Sequence, residues 1–81
     1  MEHRRVLDRR LRATFSELDA CGRSTGWPAR LRTAEQRLLE VVSALVDLRP
    51  GEPAGPEIVA RVDRVIAWAG EQMAAARRDG A

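Results

Sequence analysis

The sequence contains no lysine, tyrosine or asparagine, one cysteine, one histidine and only three aromatic side chains. Each scarcity closes a route. With Cys21 alone, the disulfide framework that staples many small secreted domains is excluded. A lone cysteine without a cleavable secretory segment fits a reducing cytoplasm, since no continuous apolar run follows the N-terminal arginines. His3 is the sole histidine and lies at the chain's start, which leaves no cluster for a metal and no imidazole placed for acid–base work. Cys21 is expected at a helix C-terminus, where the helix dipole disfavours a thiolate. No stretch approaches the roughly 20 apolar residues that span a bilayer. The sequence therefore assigns no catalytic, cofactor-binding or metal-binding residue, and it reads as a non-enzyme.

The lack of lysine is matched by arginine, which supplies all 14 basic residues against 12 acidic ones, for a net charge of +2. Heavy use of Ala, Gly, Val and Leu alongside Arg is what a GC-rich bacterial genome produces. The high isoelectric point reflects arginine's very high pKa rather than a large positive excess.

What is present is helical periodicity. In the first segment, about residues 2–21, Leu7, Leu11, Thr14, Phe15 and Leu18 share one face and Val6 lies off it. Gly22 is placed for a left-handed cap. The second helix is expected over about 28–49, with Pro28 in its first turn and Pro50 ending it. Thr33-Ala-Glu-Gln36 matches a capping box and offers a later start. Leu31, Ala34, Leu38, Val41, Leu45 and Leu48 run along this helix at 3–4 spacing, and Leu39, Val42 and Val46 widen the apolar stripe to roughly half the circumference. Glu35 falls toward the same side. The third helix is expected over about 56–78, capped by Gly55, with Ile58, Val62, Val65, Ala69, Met73 and Ala76 as its stripe. Matched lengths and loops of about six residues predict one domain, an all-α antiparallel three-helix bundle with the second helix central.

An 81-residue chain buries only about 60% of its unfolded surface, so association is the expected supplement to its core. The width of the second helix's stripe makes a homodimer or a helical protein partner the leading expectation, with Val41, Leu48, Val65 and Trp68 as the interface. Trp27, beside a proline, is expected to cap the chain's own core. Gly70, among small residues, permits close approach of another helix or marks a weak stretch.

Two further sites have the composition for anions. Arg5, Arg9 and Arg12 lie together opposite the apolar face of the first helix and form the alternative reading, a nucleic-acid contact through phosphates. The segment Gly22-Arg-Ser-Thr-Gly26 precedes a helix N-terminus, where backbone N–H groups hold anions, but it lacks the lysine and glycine spacing of a P-loop.

The segment Ser43-Ala-Leu-Val-Asp47, a proline-rich turn and Glu57-Ile-Val-Ala-Arg-Val-Asp-Arg-Val-Ile66 resemble, over about a third of the chain, the small helical antitoxins of Fic-domain toxins. That family's inhibitory helix carries Ser or Thr, three residues, then Glu and Gly or Asn. Here those last two positions are Asp47 and Leu48, so the departure falls on the functional glutamate. The resemblance implies a small helical inhibitor of a partner enzyme and stands as a third reading.

Overall fold

A computed structural model describes residues 3–80, and, at residue 3, the backbone only. Three helices, α1 (His3–Thr25), α2 (Ala29–Val46) and α3 (Pro56–Asp79), account for nearly all of it, with no strand among the described residues. Cross-helix contacts set the topology. Arg10 meets Asp63 at 2.5 Å and the Cys21 thiol points at the Met73 carbonyl at 3.8 Å, so α1 and α3 run parallel. Arg30 reaches both Gln72 and Asp79, so α2 runs antiparallel to α3. All three pairs pack together, giving an up-down-up bundle 44 × 18 × 17 Å in extent.

The core is the intersection of the three stripes. Leu7, Leu11, Thr14, Leu18 and Cys21 come from α1, Leu31, Ala34, Leu38, Val41 and Leu45 from α2, and Val62, Ala69, Met73 and Ala76 from α3. Thr14 is tolerated there because its hydroxyl donates to the Arg10 carbonyl at 2.9 Å, which satisfies it within its own helix. Among the described residues no buried side-chain polar atom lacks a partner. The Arg10–Asp63 pair is about half exposed on both sides and contributes at most about 1 kcal/mol. Apolar packing, not ion pairing, holds the bundle.

The helix ends depart from the sequence pattern in two places. First, α1 continues four residues beyond Cys21, through Gly22, to Thr25. The left-handed cap is Gly26, at φ 78°, and the Trp27 N–H donates to the Gly22 carbonyl at 2.9 Å, the six-to-one bond of a Schellman motif. Gly22 is instead a contact residue, because a Cβ there would overlap the Trp27 indole. Second, α2 stops at Val46 rather than Arg49. The chain turns at Arg49-Pro-Gly-Glu52, where Gly51 has φ 82° and the Glu52 N–H donates to the Arg49 carbonyl at 2.9 Å. Proline second and a positive-φ glycine third are the demands of a type II turn. Leu48 lies between the end of α2 and this turn, outside the helix, and packs half-buried against the core.

The start of α2 uses Pro28 as its extended N-cap, and Thr33 is already helical, with its hydroxyl on the Ala29 carbonyl at 3.1 Å. The capping-box alternative is thus unused. Helix α3 begins at Pro56 behind Gly55 as the sequence indicates. Gly70 makes no close helix approach, since it is exposed and a Cβ there meets nothing within 4 Å. Gly70→Ala is therefore expected to stabilise the protein by about 1 kcal/mol through helix propensity, seen as a melting temperature raised by about 4–8 °C. An unchanged or lower midpoint in calorimetry refutes this account.

Candidate functional site

Helices α2 and α3 leave an open groove between them, of about 420 Å³, lined by Arg37, Glu40, Val41, Arg61, Arg64, Val65 and Trp68. The helical repeat builds it. Val41 and Val65 sit at the margin of their stripes, and Trp68 lies one step beyond the buried Ala69, about 100° around α3. A tryptophan at that angle is too far round to enter the core and lies half-buried along the seam. Each floor residue stands four positions after an arginine: Arg37 before Val41, Arg61 before Val65, Arg64 before Trp68. Residues four apart lie on one helix face, so each floor residue has an arginine beside it one turn earlier.

The rim carries three guanidinium groups and one carboxylate, all on exposed residues. Among the described residues none of Arg37, Arg61 and Arg64 forms an ion pair; the three salt bridges that do occur belong to Arg10, Arg23 and Arg30. The groove therefore combines an apolar floor with cationic donors that form no ion pair among the described residues. Its volume falls within the roughly 300–1,000 Å³ of small binding clefts, enough for one or two anchoring side chains. A second concavity at the start of α3, lined by Ala54, Pro56, Val59, Ala60 and Asp63, has no aromatic or cationic component.

Three of the four residues expected at an interface, Val41, Val65 and Trp68, meet at this groove, whereas Leu48 is not among its lining. Val41 is 3% exposed, so it is core first and groove floor second. The uncovered apolar flank of α2 lies on its other side: Leu39 is 48% and Val46 66% exposed, against which Leu48 is half-buried. Glu35 is exposed on that flank rather than buried.

Arg5, Arg9 and Arg12 are all exposed on the outer face of α1 and make no ion pair among the described residues. Three mutually packed helices put that face opposite the α2–α3 seam, so the two arginine groups are separate. The Gly22–Gly26 anion site does not exist: Arg23, Ser24 and Thr25 lie in the last turn of α1, and the Thr25 hydroxyl donates to the Cys21 carbonyl at 2.7 Å. Cys21 is 2% exposed, which withholds its thiol from solutes. His3 lies outside the residues whose side chains are described. Among the described residues no three His, Cys, Asp or Glu side chains converge, and no helix is long and apolar enough to cross a membrane.

The rim arginines and Glu40 escape notice in the sequence because each looks like an ordinary solvated helix position. Their signal is the repeated Arg-to-apolar spacing of four on two different helices, which acquires meaning once those helices are known to face each other. No known protein family, characterised protein or solved structure matches this chain, so its likeness to others supplies no function and the groove is the ground for one.

Proposed function

We propose that the chain is a non-enzymatic helix-docking module, whose α2–α3 groove receives a helix from a protein partner or from a second copy. The observation that carries this is the groove that stays open after the bundle has formed: Trp68 and two valines flanked by arginines that form no ion pair among the described residues. Tryptophan at the centre of a desolvated patch is the residue type that dominates interface energetics, and a rim of polar side chains excludes water around it. Helix-in-groove recognition lays the apolar anchors of an incoming helix, spaced about one turn apart, into an apolar channel between two helices, and the α2–α3 seam is such a channel. The burial of Cys21 supports the non-enzymatic part of the reading, because it removes the chain's one thiol nucleophile from reach.

The test is a helical-peptide library displayed on phage, selected on the wild-type chain and counter-selected on Trp68→Ala. The module reading expects an enriched pool sharing apolar anchors at one-turn spacing. A pool that binds the Trp68→Ala variant equally well would sink it. Trp68 is half-buried at the seam, so the variant is expected to keep its helical circular dichroism. Sedimentation at micromolar concentration separates the two sources of the helix, since a dimer of the 9.0 kDa chain that Trp68→Ala dissociates identifies a second copy.

A further inference from the structure

We infer that the groove's occupant is an acidic amphipathic helix of another protein, with an apolar anchor seated on Val41, Val65 and Trp68 and carboxylates one turn to either side. The inference rests on the docking reading and adds the partner's chemistry. Arg37, Arg61 and Arg64 rise around the floor from both helices, each four residues before a floor position. An anchor that fills the floor thus brings its flanking residues to the guanidinium groups. Carboxylates answer that geometry, because arginine's planar fork pairs with them bidentately and an arginine is less strongly hydrated than a lysine.

Charge decides against the other occupants. A second copy docking symmetrically presents the same patch to itself, so three arginines and one glutamate face three arginines and one glutamate. Like charges juxtaposed across an interface are a strong penalty on pairing. The outer face of α1 is no better suited, because Arg5, Arg9 and Arg12 make it basic too. A nucleic-acid strand finds one aromatic platform, two valines and the Glu40 carboxylate at the rim. Single-strand sites instead offer successive aromatic platforms along a positive groove.

The experiment uses the full chain and two synthetic helical peptides of about 16 residues, a length at which an alanine-rich helix is populated. Both carry leucines at one-turn spacing. One flanks them with glutamates and the other has glutamine at every glutamate position. Binding is read from the Trp68 indole N–H resonance. The acidic peptide is expected to bind at least about tenfold more tightly than its glutamine counterpart, and to lose that advantage as salt shortens the Debye length to a few ångströms. Arg61→Gln with Arg64→Gln is expected to cut that difference severalfold, with Arg37 left as the one rim arginine; a ratio between the two peptides that the double variant leaves unchanged overturns the assignment of the carboxylates to this rim. Both arginines are exposed, so the fold is retained, and circular dichroism checks it.

Equal affinity for the two peptides overturns the acidic preference and leaves the docking reading standing. Failure of both peptides to perturb Trp68, with no pool enriched from the library, overturns the two together. A labelled single-stranded oligonucleotide that displaces the acidic peptide, or a Trp68-dependent dimer in sedimentation, assigns a different occupant and overturns the inference.

Discussion

Leu38→Glu is expected to abolish the cooperative unfolding transition at neutral pH and to remove most of the helical circular dichroism. Leu38 is fully buried in the middle of α2, the helix that packs against both others. A domain of this length has about 4–12 kcal/mol of total stability, from the typical 0.05–0.15 kcal/mol per residue. Removing a buried leucine side chain alone takes about 2–5 kcal/mol. The introduced carboxyl adds the cost of an unpaired polar group or, if ionised, of an uncompensated charge. The sum reaches or exceeds what the fold has.

The pH dependence separates the charge from the cavity. Burial raises the pKa of the introduced carboxyl in the folded state above the ordinary value near 4.3. Its penalty is therefore absent below that unfolded-state value and grows as pH rises through it. Acidification to about pH 4 is expected to restore helicity in part, with the wild-type chain at the same pH as the control for loss of the Arg10–Asp63 pair. Leu38→Ala has only the cavity and folds at both pH values with a lowered midpoint. The same change at Leu45 is expected to do less. Leu45 is 2% exposed but stands one residue before α2 ends at Val46, so the final turn can unwind and release the carboxyl. A Leu38→Glu variant within about 1 kcal/mol of wild type at pH 7, below even the typical leucine-to-alanine loss, contradicts the core described above.

The fold was legible because its core is written in a single period. Every buried residue of α2, Leu31 through Leu45, recurs at 3–4 spacing, and that spacing survives any error at the helix ends. The ends were harder for separate physical reasons. Gly22 has the identity of a cap, yet four residues on, Gly26 has the same identity, and the helix ends at the glycine whose successor can return a hydrogen bond. Leu48 continues the α2 period in sequence, but the helix has already ended at Val46 ahead of the Arg49–Glu52 turn, so Leu48 is off the helix. Which flank of a stripe stays open is a separate matter. A helical wheel shows how wide the apolar stripe is, but not which margin the neighbouring helices cover. Leu39 and Val46 stayed open and Val41 closed because α3 lies on the Val41 side. The groove's floor was accessible to the wheel; its arginine rim depended on pairing two helices across the seam.

Gly22→Ala is expected to destabilise the protein, against the sign that helix propensity gives. In a free helix the change gains about 1 kcal/mol, as argued for Gly70. Gly22 is buried inside α1, and an added methyl group enters the volume of the Trp27 indole. That ring has little freedom to retreat. Trp27 is held at φ 55°, a left-handed conformation that is unusual for a bulky residue, with its N–H bonded to the Gly22 carbonyl and Pro28 following it. Overpacking of a constrained site takes about 1–3 kcal/mol, which outweighs the propensity gain and leaves a net loss of up to about 2 kcal/mol. Ring and methyl are therefore coupled. Introduced into a Trp27→Ala background, where the obstruction is gone, the same Gly22→Ala change is expected to stabilise by about 1 kcal/mol. Chemical denaturation of the four proteins of this cycle measures the reversal directly. In a Trp68→Phe background, Trp27 emission should also shift to the red as Gly22→Ala moves the indole toward water. If Gly22→Ala stabilises both backgrounds alike, the indole does not rest on Gly22, and the turn between α1 and α2 is held by its backbone alone.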